Sequence, residues 1–86
     1  NSNWFGVNWN TVEKGFRIRR LSPGPLKNAG IRIGDIITQL DGKPIPDGNH
    51  LIGIRNRIFN GQLQEALLTV IRNGKTLHFR MVKFAK

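Results

Sequence analysis

The sequence predicts one small α+β domain, mainly β, with one short and one longer helix. Three observations carry that prediction. Runs rich in β-branched and aromatic residues recur along the chain and are bounded by Gly, Pro, Asn or Asp. Two of them, Ala66–Arg72 and Lys75–Phe84, flank Asn73-Gly74, the two-residue signal for a type I′ hairpin. Two stretches carry helix-start signals: Pro25, and Asp47 or Asn49 ahead of an apolar segment.

Size and composition agree. The chain has 86 residues, of which 38% are hydrophobic, including five Phe and two Trp. That suits a single domain with a modest core and argues against disorder. The reading is of an excised soluble domain spanning 4–84, with 1–3 as a tail or linker and 85–86 as a second tail. There is no cysteine, so no disulfide framework and no thiolate metal site. No apolar run approaches a transmembrane length, and no signal peptide is visible. Fourteen Lys and Arg against five Asp and Glu give a net charge of +9. Such a charge attracts nucleic acid, acidic lipid or acidic peptides. The basic residues are scattered rather than gathered in one run. A solvated basic surface is therefore expected, with no specific nucleic-acid site.

Taken in order, Trp4–Trp9 is the first strand candidate, because Val7 and Trp9 alternate with Asn8. Phe16 and Ile18 alternate with Arg17 and Arg19, which places the arginines toward water. Ser22-Pro23-Gly24-Pro25 opens a turn and a single helical turn that Gly30 ends. Gly34-Asp35 forms a corner into the strand Ile36–Leu40, and Asp41-Gly42 forms the next turn. A helix from about Asn49 to Phe59 follows, with Gly61 as its stop. Its apolar residues Leu51, Ile52, Ile54, Ile58 and Phe59 are spread wider than one stripe, so two sides should be covered. Gly53 weakens that helix, which a closely passing backbone would explain. In the last strand Leu77, Phe79 and Met81 form the expected core face, alternating with His78, Arg80 and Val82.

The ordered set Ser22-Pro23-Gly24-Pro25, Ala29-Gly30-Ile31, Gly34-Asp35-Ile36-Ile37 and Asp41-Gly42-Lys43-Pro44-Ile45 resembles the core signature of a PDZ domain. The resemblance is to the bacterial type, found in HtrA/Deg-like envelope proteases and in type II secretion scaffold proteins. It extends more weakly from about Trp4 to Phe84. It implies a partly open barrel or sandwich of five to six strands. Trp4-Phe5-Gly6-Val7 fits the family's hydrophobic–hydrophobic–Gly–hydrophobic loop. A loop of that kind turns successive N–H groups into one anion-binding concavity, and the resemblance implies that the anion is a peptide's C-terminal carboxylate.

The resemblance further implies a binding module that takes C-terminal or extended segments, acidic ones included, as an added strand beside Val7-Asn8-Trp9. His50, Ile54 and Ile58, four residues apart, form one credible groove line on the helix; Ile52, Arg55 and Phe59 form the competing one. The expected parent is a bacterial serine protease of the periplasm or cell envelope, in which this domain recognises substrate. The alternative is a scaffold domain of a secretion or envelope complex, its groove occluded by Trp4 and Trp9. A basic nucleic-acid-binding barrel is less favoured. A membrane-anchored or oligomeric parent fits either leading reading.

The residues offer no catalytic machinery. Ser2 lies in the tail and Ser22 in a turn, and neither has a nucleophile-elbow motif around it. Asp35 and Asp41 lie in turns, where carboxylates bond nearby backbone. His50 and His78 are too far apart in the chain to suggest a ligand cluster. No enzyme activity, metal or cofactor is expected of these residues.

Overall fold

A computed structural model describes residues 2–4, 7–12 and 15–82. The chain runs β1 (Ser2–Trp4), β2 (Val7–Val12), β3 (Gly15–Arg20), α1 (Pro25–Ala29), β4 (Ile36–Leu40), β5 (Lys43–Pro44), α2 (Gly48–Phe59), β6 (Glu65–Arg72) and β7 (Lys75–Val82). Six strands form one antiparallel path in the order β1-β2-β3-β4-β6-β7, and the two-residue β5 pairs with β4. The architecture is the expected one: mainly β, with one five-residue and one twelve-residue helix.

Local chemistry explains most boundaries. Pro25 occupies the first turn of α1, where its missing N–H has no helical partner, and Gly30 ends that helix in the left-handed region at φ 112°. Arg72 stands opposite Lys75, and the residues between them, Asn73 and Gly74, have φ 52° and 78°, as a type I′ hairpin requires. In β3, Phe16 and Ile18 are buried while Arg17 and Arg19 are exposed. In β7, Met81 is buried and Leu77 and Phe79 are partly so, against exposed His78 and Arg80. Val7, Ile18, Ile37, Leu51, Leu68 and Val70 are fully excluded from water at the centre of the core.

Three sequence expectations need correction. The first strand does not run from Trp4 to Trp9. It is split into β1 and β2, paired antiparallel as Ser2↔Trp9, Asn3↔Asn8 and Trp4↔Val7. Residues 2–3, read as tail, therefore belong to the sheet. The two carboxylates assigned to local turn bonding both reach much farther. Asp35 does accept from the Arg32 N–H at 2.8 Å. It also takes a two-pronged contact from Arg72, at 2.8 Å from Nε and 2.7 Å from Nη2, while the same Nη2 donates to the Gly30 carbonyl. Asp35 is 1% exposed. The hydrogen bond to Asp35 raises the Arg72 pKa above its ordinary value. One ion pair thus ties the end of α1 and the Gly34-Asp35 corner to the end of β6. Asp41 accepts from the Leu67 N–H at 2.9 Å, fastening the β4–β5 turn to β6.

Candidate functional site: the β2 edge and helix α2

The candidate site is built from β2 and α2. Asp47 starts the helix: its carboxylate accepts from the His50 N–H at 2.8 Å, satisfying one of the first-turn donors. The buried face of α2 is Gly48, Leu51, Ile52, Arg55 and Ile58. Gly48 is the point where the helix meets β2. A Cβ built there would overlap the Trp9 indole, so glycine is what lets the ring lie against the helix. Trp9 is 3% exposed and belongs to the core cluster. Gly48, Ile52 and Arg55 follow at helical spacing on this buried face; its first turn, at Gly48, meets Trp9 of β2, and Arg55 lies beside Gly24 ahead of α1.

The line His50, Ile54 and Ile58 is not brought together as a wall against β2. Ile58 is fully buried. His50 is exposed, and it lines with Ile54 a hollow of about 360 Å³ shared with Leu40, Asp41, Lys43 and Pro44. Those two residues therefore look toward β4 and β5. The helix is turned so that Leu51 and Ile58 enter the core, which carries His50 and Ile54 round to the far side. Val7 is fully buried as well. The loop residues Phe5 and Gly6 lie outside the described residues, as do the side chains of Trp4 and Asn8.

Arg55 is a feature that sequence reasoning placed only in the competing stripe. It is 7% exposed, and burial pushes its guanidinium pKa down. Its Nη1 donates to Asn56 Oδ1 at 3.1 Å. A Cβ on Gly24 would stand 3.1 Å from Nη2, so the glycine ahead of α1 leaves room for the guanidinium. Arg55 lines a hollow of about 470 Å³ with Ser22, Pro23, Asn56, Phe59 and Asn60. Phe59 is 59% exposed there. A third hollow, about 270 Å³, opens beside Trp9, Thr11, Phe16 and the first turn of α2.

Gly53 does not have the expected explanation. A Cβ there would meet nothing within 4 Å, so among the described residues no backbone passes close by. Gly53→Ala should therefore stabilise the domain by about 0.5–1 kcal/mol through helix propensity, read as a higher urea midpoint. A lower midpoint would show a contact at this position.

Electrostatically, each carboxylate among the described residues is engaged. Asp35 holds Arg72, Asp41 and Asp47 bond backbone N–H groups, and Glu65 lies 3.5 Å from Arg80 on the surface. Arg17, Arg19, Arg20, Lys27, Arg32 and Lys43 are exposed on several elements, which matches a scattered basic surface. Among the described residues no group of three His, Cys, Asp or Glu is placed to hold a metal, and no helix is long and apolar enough to cross a membrane.

The sequence matches the PDZ domain family over residues 5–82. A search of curated proteins finds no match to the chain. Among solved structures, the HtrA3 PDZ domain bound to a phage-derived ligand (FGRWV) superposes with a TM-score of 0.70 at 24% identity, covering 92% of this chain and 82% of that one. That likeness is one of fold. The PDZ domain of EpsC from Vibrio cholerae, residues 219–305, superposes with a TM-score of 0.56 at 25% identity, covering 88% of this chain and 92% of that one.

Proposed function

The chain belongs to the PDZ domain family, a family of peptide-binding modules, and on that premise we propose that it captures the C-terminal or extended segment of a partner as a strand beside Val7-Asn8-Trp9. The observation that carries this reading is the contact of Trp9 with Gly48, which sets α2 alongside β2. Backbone hydrogen bonds along β2 supply affinity that does not depend on ligand sequence, and pockets read alternate side chains. Trp4, Phe5 and Gly6 supply backbone N–H groups for the terminal carboxylate. The stripe Gly48, Ile52 and Arg55 forms the facing wall in place of His50 and Ile54, and the hollow at Arg55 and Phe59 lies at its far end. A single module of this kind binds at roughly micromolar strength, because a short flexible peptide loses conformational freedom on docking.

In the parent protein this capture serves substrate recognition by a serine protease of the bacterial periplasm or envelope. The second reading, a scaffold domain in a secretion complex, draws support from the Trp9 indole that occupies space between β2 and α2. It is also consistent with the likeness to EpsC at 25% identity.

The test is a titration with one peptide, free and C-terminally amidated, starting from FGRWV and continuing with a random C-terminal library. A carboxylate held by several N–H groups makes charge-assisted bonds. Amidation should weaken binding by roughly 2–4 kcal/mol. Equal affinities would overturn carboxylate capture. Failure of the whole library to bind would favour the scaffold reading.

A further inference from the structure

We propose that β1 is a resident strand that an incoming segment must displace, so the ligand edge is gated by the protein's own chain. The proposal rests on the strand-addition reading above. A strand has two hydrogen-bonding edges. One edge of β2 is taken by β3, from Asn8↔Arg20 to Val12↔Gly15, and the other by β1 through Ser2↔Trp9, Asn3↔Asn8 and Trp4↔Val7. A partner added beside Val7-Asn8-Trp9 needs the same N–H and C=O groups that β1 uses. Strand addition and the β1 ladder therefore exclude each other over these three residues.

The occupant holds few pairs and lies at the edge of the sheet. Among the described residues its ladder with β2 has three pairs, whereas the one between β6 and β7 has eight. It sits at one end of the six-strand path, with no strand on its outer side among the described residues. Short edge strands with few hydrogen bonds are the first elements to open, at low free-energy cost. Their open groups are then ready for a new strand.

The register also describes the competitor. β1 runs antiparallel to β2, so its last residue, Trp4, stands opposite Val7, and Ser2 stands opposite Trp9. A displacing segment that keeps this direction brings its C-terminal residue to the position of Trp4. It then continues for at least two residues back along β2. Its class is an extended peptide with a free C terminus, for which the backbone of Ser2-Asn3-Trp4 is the internal stand-in.

The experiment uses three proteins. In Asn3→Cys with Asn8→Cys, the two cysteines face each other across the ladder, at a separation that suits a disulfide. No other cysteine interferes. Oxidation locks β1 onto β2, and reduction frees it. In Ser2→Pro with Asn3→Pro the strand cannot pair normally, and the chain stays continuous. The third is the unaltered protein. The probe is a heptapeptide selected on the double-proline variant from a random pool with free C termini, and its Kd is measured on every form.

If the edge is open about a tenth of the time, the unaltered protein binds about tenfold more weakly than the double-proline variant. The oxidised form should bind at least about tenfold more weakly than its reduced form. Equal Kd for oxidised and reduced protein, with no gain in the double-proline variant, would overturn the gate and leave peptide capture standing. If the selection yields no binder, peptide capture itself falls and the gate with it. Failure of the cysteines to couple under oxidant would count against the β1–β2 pairing.

Discussion

Trp9→Ala is expected to destabilise the domain by about 3–5 kcal/mol, the usual cost of removing a large buried aromatic side chain. The residue is 3% exposed, and its ring closes the space between β2 and the first turn of α2. For a domain of this size each kcal/mol shifts the midpoint by roughly 4–8 °C, so thermal unfolding should move down by about 12 °C or more. The loss is a large share of the roughly 5–15 kcal/mol that holds a small domain together. Gly48→Ala approaches the same contact from the other side. Its new methyl group overlaps the indole and should cost about 1–3 kcal/mol through overpacking. Combined, the two changes should cost less than their sum, because the added methyl enters the void that the ring vacates. Additive losses in circular-dichroism melts would show that the ring and the helix do not touch.

The second large effect separates two residues that look alike in sequence. Ile58→Lys should cost about 4 kcal/mol or more, or prevent folding, because Ile58 is fully buried and an ammonium there has no partner. Ile54→Lys should cost only about 1–2 kcal/mol. Ile54 is partly buried at the edge of the hollow near Lys43 and Pro44, so the lysine stem can lie along that surface with its head in water. Urea midpoints of the two variants decide the matter. Equal losses would mean that the helix is rotated from the position described. The same pair bears on recognition, since His50 and Ile54 look toward β4 and β5. Ile54→Lys should therefore leave peptide affinity close to that of the unaltered protein.

Much of this fold can be read directly from the chain, and the reasons are local. Pro25, Gly30 and Asn73-Gly74 act through their own φ preferences, so their turns appear where those residues stand. The alternation in β3 and the Asp47 cap are equally short-range signals. The misreadings have a common physical origin in contacts between distant segments. Asp35 meets Arg72, and Asp41 meets the Leu67 N–H; nothing within a few residues of either carboxylate announces these partners. The same holds for the candidate site. Val7 and Trp9 were legible as one buried face of a strand. The rotation of α2 was not, because its apolar residues cover more than one stripe and only tertiary packing chooses among them. Two glycines of the same helix show why residue type alone could not choose: Gly48 makes room for the Trp9 ring, whereas Gly53 faces open space.

The order of strands has a consequence for the chain during its synthesis. β4 lies inside the sheet between β3 and β6, with Ile36 opposite Ile71 and Ile37 opposite Val70. Its partner β3 precedes it in sequence, but β6 follows only after all of α2. A nascent chain that has emerged as far as Phe59 therefore presents β4 with one side unpaired, and Ile37 and Leu40 lack the cover that Leu68 and Val70 later provide. An apolar strand with an open side is a template for pairing with a neighbouring chain. The late arrival of the β6–β7 hairpin, which forms quickly on its own, is the step that ends this exposure. Holding the chain at the point where residues up to Phe59 have left the ribosome should accordingly raise the yield of aggregated protein more than an equal hold before β4 has left it.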